Sequence, residues 1–202
     1  PNGKKIVFTS YLHGQPDIYT IGKNGKGLRR LTNGVGAKIT PTWSPSGKNI
    51  AFSSTVNGEA EIFIMSAEGK RHRRITDALG IDLAPEFSPD GQKIVFASEM
   101  AGDLHLFKAN LNGGPLKRLT FVGYQNDMPA WSPTSNKIAF AGRDQGAFDI
   151  FIMESDGSNI QRLTIRAGDN EHPSFSPDGR FIVFSSTRTG KSEIYIMRAD
   201  GS

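Results

Sequence analysis

Residues 84–98 read APEFSPDGQKIVFAS, and near-copies recur as TPTWSPSGKNIAFSS from Thr40, MPAWSPTSNKIAFAG from Met128 and HPSFSPDGRFIVFSS from His172. The step between copies is constant. Pro41, Pro85, Pro129 and Pro173 are 44 residues apart, as are Trp43, Phe87, Trp131 and Phe175. The triplets Arg30-Leu31-Thr32, Arg74-Ile75-Thr76, Arg118-Leu119-Thr120 and Arg162-Leu163-Thr164 keep the same period, and so do the glycine series that start at Gly14 and Gly25. A fixed period of this length is the signature of a repeat architecture.

Each unit reads as four short strands. The first is the Pro-x-Trp/Phe-Ser segment. A Ser-Pro-Asp-Gly turn, complete at 88–91 and 176–179, reverses the chain: Pro presets φ, Asp bonds its own backbone and Gly accepts the left-handed conformation. The second strand is Ile-Val/Ala-Phe at 6–8, 50–52, 94–96, 138–140 and 182–184, β-branched and aromatic as a buried pleated surface requires. The Gly14 series turns into a third strand (Ile18-Tyr19 and its copies), and the Gly25 series into a fourth that ends at Arg-Leu-Thr. No segment sustains a helical 3.6 period. These features predict an all-β fold, a β-propeller of four-stranded antiparallel blades in a single domain over residues 1–202, with units at about 1–40, 41–84, 85–128, 129–172 and 173–202. Residues 1–26 recur five times and residues 27–44 four times. About four and a half to five blades are therefore expected, as a segment of a longer propeller, with open strand edges that can pair with another chain.

Composition narrows the chemistry. The 202 residues are 37% apolar, with 23 Gly and 11 Pro, a balance suited to short strands and tight turns. The absence of cysteine excludes disulfides, thiol catalysis and Cys-based zinc sites. The net charge of +4 is mild. Its basic residues gather near the fourth strand: Arg29, Arg30, Lys70, Arg71, Arg73, Arg74, Lys117, Arg118 and Arg162. In a propeller that strand is the outer rim, where charge discourages edge-to-edge pairing. Nucleic acid would instead require one continuous basic face interleaved with aromatics, so no nucleic-acid partner is expected. No apolar run approaches the ~20 residues of a membrane span, so direct membrane insertion is not expected. The N-terminal PNGKKIVF lacks a leader pattern, and a secreted protein is expected to occur here without its leader.

No catalytic motif is present. His13, His72, His105 and His172 fall in different phases of the repeat, and no His-Glu-x-x-His, Gly-x-Ser-x-Gly or phosphate-loop spacing occurs. No cofactor and no metal site is expected. Asp17, Glu61, His105, Asp149 and Glu193, which precede the third strands, are expected to pair with basic neighbours. Residues shared by every unit are scaffold, so a site belongs where the copies differ. The segment before each first-strand proline differs most: Ala37-Lys38-Ile39-Thr40, Ile81-Asp82-Leu83-Ala84, Gln125-Asn126-Asp127-Met128 and Asp169-Asn170-Glu171-His172. With the Pro-x-Trp strand innermost, these loops converge on one mouth of the central channel.

Pro173–Phe184, Ile194–Met197 and Asp156–Thr164 carry a pattern that resembles the TolB-type propeller repeat, also called the WD40-like or PD40 repeat. The resemblance covers essentially the whole chain. It implies a non-catalytic, periplasmic scaffold of the Tol–Pal cell-envelope system, binding a Pal-like lipoprotein or other Tol proteins. It also implies that Lys38, Asp82, Asp127, Glu171 and His172 form the partner-binding channel mouth. The TolB family has six blades and an N-terminal α/β domain, neither of which is found in these residues. The same repeat occurs in prolyl-oligopeptidase-like, tricorn-like and oligosaccharide-degrading enzymes, and a substrate-gating or substrate-binding propeller of such a hydrolytic enzyme is the alternative expectation.

Overall fold

A computed structural model describes residues 2–77, 79–143 and 146–202, and every regular element in it is a β-strand. Blade 1 holds β1 (Lys5–His13), β2 (Gln15–Gly22) and β3 (Arg29–Arg30). Blade 2 holds β4 (Lys38–Trp43), β5 (Asn49–Ser54), β6 (Glu61–Ser66) and β7 (Arg73–Arg74). Blade 3 holds β8 (Asp82–Phe87), β9 (Lys93–Ser98), β10 (His105–Asn110) and β11 (Lys117–Arg118). Blade 4 holds β12 (Gln125–Trp131), β13 (Lys137–Arg143), β14 (Asp149–Glu154) and β15 (Gln161–Arg162). Blade 5 holds β16 (Asn170–Phe175), β17 (Phe181–Ser186) and β18 (Glu193–Arg198).

Each blade is an antiparallel meander in sequence order. Among the described residues blade 1 has no innermost strand and blade 5 no outermost one, as the repeat phase predicts. The innermost strands β4, β8, β12 and β16 pack successively on one another, and β1 packs beside β4. Strands of blade 5 make no contact with strands of blade 1 among the described residues.

The period-2 alternation of a strand explains the stacking, because each sheet must bury two faces. In blade 3, Phe87, Ile94, Phe96 and Phe107 point back into blade 2, where Ala51, Ile62 and Ile64 receive them. The alternate residues Val95, Ala97 and Leu106 point forward into Trp131, Ile138, Phe140 and Met153 of blade 4. The same exchange joins blades 1 to 2 and 4 to 5. Within each blade one aromatic pair sits directly across the second and third strands: Phe8–Tyr19, Phe52–Phe63, Phe96–Phe107, Phe140–Phe151 and Phe184–Tyr195, all stacked with centroids 5.4–6.3 Å apart.

The end faces show what a missing neighbour does. Ile94 is fully buried, whereas Ile6, at the same place in blade 1, is 53% exposed; Ile194 is 75% exposed where Ile62 and Ile150 are fully buried. Ile94→Ala should therefore destabilise by about 2–4 kcal/mol, the usual cost of emptying a core site. Ile6→Ala should cost below about 0.5 kcal/mol, as at an exposed position. Denaturant unfolding of both variants checks the contrast, and equal losses would contradict the exposed end face.

Candidate functional site

A bulge shapes the end of the channel at which the blade-crossing loops arrive. In every inner strand the register slips, between Ile39 and Thr42 in β4, Leu83 and Glu86 in β8, Asp127 and Ala130 in β12, and Glu171 and Ser174 in β16. At each slip the residue before proline is left-handed: Thr40, Ala84, Met128 and His172 have φ of 51°, 50°, 53° and 55°. Non-glycine residues adopt this conformation at a cost of about 1–2 kcal/mol. Four copies of one strained turn make it part of the scaffold, and it holds the side chains around it on rigid strands.

The structure separates the five residues singled out from sequence into two layers. Lys38 and Asp82 occupy equivalent places and are both buried between blades, 5% and 1% exposed. Lys38 reaches 3.6 Å from Asp17 and donates to backbone carbonyls of the loop before it. Asp82 lies close to Glu61; burial pushes its carboxyl up to about 6, against the pull of the Ser98 and Thr76 hydroxyls, and Glu61 adds repulsion. Asp127, Glu171 and His172 form the second layer at the bulge itself. Burial raises Asp127 above its ordinary range, while its Oδ1 accepts from Met128 N at 2.6 Å and nearby His172 opposes the rise. Glu171 is half-buried and His172 is exposed. The structure thus brings Asp127 and His172 together across β12 and β16 and sets Lys38 and Asp82 beneath, away from solvent.

Of the five residues before the third strands, Asp17, Glu61 and Asp149 pair with an arginine of their own blade, whereas Glu193 accepts from Thr189 and Tyr195. Thr76 Oγ1 accepts from Ile62 N at 2.9 Å and donates to Glu61 Oε2 at 2.6 Å, while Arg74 bonds Glu61 Oε1 at 2.6 Å. Asp17 with Arg30 and Thr32, and Asp149 with Arg162 and Thr164, repeat the arrangement. In blade 3 the acid is replaced by His105, whose imidazole is held below its ordinary range by burial and by Arg118. Arg118 instead sits 5.0 Å over the Phe121 ring. The Arg-Leu-Thr triplets are scaffold.

One feature escaped the sequence reading. A cavity of about 450 Å³ lies toward the Ser-Pro turns, lined by Pro41, Trp43, Glu86, Trp131 and Pro133 among others. Glu86 accepts from Thr42 Oγ1 at 2.7 Å across neighbouring inner strands, and burial pushes its carboxyl up to about 7. Trp43 Nε1 is enclosed without an acceptor among the described residues. The signal was present: Glu86 stands where the other copies carry Thr42, Ala130 and Ser174.

The family described as TolB beta propeller domain matches residues 1–129 and 123–202. Among curated proteins, none matches the chain in sequence. Of solved structures, TolB from Acinetobacter baumannii is 30% identical over 98% of this chain and 50% of its own, with a TM-score of 0.88. The chain thus spans about half the length of that TolB. Oligogalacturonate lyase from Vibrio parahaemolyticus (16% identity, 98% of this chain and 59% of that one, TM-score 0.70) shares the fold. So does a puromycin-hydrolyzing peptidase from Mycobacterium tuberculosis (18%, 96% and 35%, TM-score 0.70).

Glu86 makes stability depend on pH. Its folded pKa of about 7 lies above the ordinary 4.5, so the native state holds this proton more tightly than the unfolded chain. That contribution is complete below pH 4.5 and is lost as pH rises through 7. Glu86→Gln, which keeps an acceptor for Thr42, should raise stability at pH 8 by about 1–3 kcal/mol relative to the parent and flatten the slope over this window. Urea unfolding at pH 5 and pH 8 measures it, and an unchanged slope would contradict the assignment.

Proposed function

This chain belongs to the TolB β-propeller domain family, and on that premise we propose that it is a non-catalytic protein-docking platform of the Tol–Pal type, working in the periplasm. The likeness to Acinetobacter TolB at 30% identity over nearly all of the chain carries this reading. The proposed partner is a Pal-like lipoprotein or another Tol protein. Its contact is the channel mouth at which Asp127, Glu171 and His172 lie, with Lys38 and Asp82 supporting the loops from beneath. The four left-handed bulges favour such a role, because a surface held in place before binding loses little entropy when a partner arrives.

The cavity around Glu86 favours a second reading. A carboxyl near neutrality in an aromatic-lined cavity is a feature of functional sites. It fits a substrate-binding or substrate-gating propeller of a hydrolytic enzyme. The lyase and peptidase likenesses, at 16% and 18% identity, speak for fold alone.

Calorimetric titration of the soluble domain of a Pal-type lipoprotein into this chain distinguishes the two. The first reading expects micromolar or tighter binding, weakened at least ~10-fold (1.4 kcal/mol) in Glu171→Ala/His172→Ala, with melting temperature unchanged. Binding that survives the double variant would move the contact elsewhere on the propeller. No binding by the folded chain would put the second reading first.

A further inference from the structure

The loop that carries the chain from blade 3 to blade 4 departs from the other crossings. Its tight turn has moved one place: Gly123, with φ +84°, stands where the others carry Val35, Leu79 and Ala167, and Tyr124 stands where they carry Gly36, Gly80 and Gly168. The shift lengthens the ladder beside it. Gln125 pairs with Arg143, and Tyr124 N donates to Arg143 O at 2.9 Å. Strand β12 therefore starts one residue earlier, and β13 ends one residue later, than their counterparts in blades 2, 3 and 5. On this support Phe121, Val122 and Tyr124 are each 69–71% exposed. Apolar side chains gathered at the surface in this way mark a place of contact.

Beside the loop a cavity of about 160 Å³ opens on the outer half of blade 4, lined by Val122, Phe140, Arg143, Phe151, Ile160 and Arg162 among others. Gly142 accounts for it. The other four copies carry serine at this place, Ser10, Ser54, Ser98 and Ser186, whereas a Cβ on Gly142 would stand 2.9 Å from the Phe151 ring. Without one, Phe151 closes on Phe140 to a centroid distance of 5.4 Å, against 6.0–6.3 Å in the other blades, and leaves room behind it. An apolar cavity of about 150 Å³ is large enough for a benzene ring. The polar side chains of the wall are already engaged: Asn126 Nδ2 donates to Val122 O at 3.0 Å, and Thr120 Oγ1 accepts from Leu106 N at 2.9 Å. Apolar surface and guanidinium groups are what the wall offers a ligand.

The charge here has one sign. Arg143 lies 5.8 Å over the Phe148 ring and Arg118 lies 5.0 Å over Phe121. Among the described residues the wall holds two arginines and no carboxylate. We propose that this groove docks an acidic, extended peptide segment, which places one phenylalanine side chain in the cavity and its carboxylates on Arg143 and Arg118. Guanidinium and carboxylate groups match in a two-pronged geometry, and an apolar anchor set in a pocket among arginine and aromatic groups is the usual centre of a protein contact. The surface is separate from the channel mouth, whose Asp127 and Glu171 repel such a segment, so it stands whichever partner the mouth serves.

The test titrates the blocked peptide Asp-Glu-Phe-Glu-Asp into the isotope-labelled chain and follows amide shifts by NMR. A Kd of roughly 10⁻⁴ M is expected for one anchor with flanking charges, with the largest shifts at Val122, Gly123, Gly142 and Ile160. Raising NaCl from about 50 mM to about 300 mM should weaken binding at least ~3-fold by screening. Replacing the peptide's phenylalanine by alanine, or its acids by lysine, should weaken it at least ~10-fold. Gly142→Ser and Arg143→Thr install residues of the other copies; they should keep the parent's melting temperature and bind at least ~10-fold and ~3-fold more weakly. If Gly142→Ser does not fold, Arg143→Thr and the alanine peptide supply the same reading. No shifts at about 2 mM peptide, roughly twentyfold above the expected Kd, overturn the proposal. So does equal binding of the alanine or lysine peptide, or binding undiminished in both variants. Association with phosphatidylglycerol vesicles but not with the peptide overturns it in favour of a membrane surface.

Discussion

Every sheet here is apolar on both faces, and a sheet of three or four strands cannot bury two faces by itself. Each blade therefore exists as a stable unit only by contact with its neighbours. The alternation within one strand makes the contact directional: the isoleucine and phenylalanine of the second strand go back into the preceding blade, and the alanine or valine between them faces forward. Large side chains meet small ones across each junction, which is how facing layers fill space at the density of a protein interior. The exposure of the isoleucines on the two end faces is the same rule seen where a neighbour is missing.

Packing of this kind leaves a polar problem at each blade edge. The chain leaves the third strand, turns and comes back for only two residues of outer strand before crossing to the next blade. The threonine of the Arg-Leu-Thr triplet closes that short return: its hydroxyl accepts from the backbone of the third strand and donates to the acid beside it. The arginine then satisfies the carboxylate from the outside. Breaking one partner of such a buried group costs more than the group contributes when whole. This is why the triplet is repeated so faithfully and why its basic charge is no sign of a ligand.

The architecture was legible because its determinants are local. Turn chemistry at Ser-Pro-Asp-Gly and the Ile-Val-Phe strands fix the meander, and the 44-residue step fixes the stacking. The candidate site was legible only in part. Asp127, Glu171 and His172 gather at the bulge, yet Lys38 and Asp82, one place earlier in their own copies of the segment, are buried between blades. The difference is a matter of phase: one residue along a strand reverses the face, and the left-handed turn before proline shifts that phase in a way that composition does not announce. Glu86 went unread for a related reason, since its neighbours in the repeat are small or hydroxyl-bearing and only the cavity shows what it faces.

Variation between blades therefore has two meanings in this fold, and burial separates them. At the bulge, Thr40, Ala84, Met128 and His172 differ while sharing one backbone conformation, so side chains change freely above a fixed support. That is the condition for a recognition surface. One turn deeper, Lys38, Asp82, Asn126 and Asn170 differ inside a closed polar shell. There a change of side chain must be met by the groups packed against it, as the Ser98 and Thr76 hydroxyls meet the Asp82 carboxyl. An outward difference points to the partner a propeller meets, and an inward difference to how its blades pack. In a repeat protein the copies are one another's controls, and a single odd copy is informative because the others show what its surroundings require.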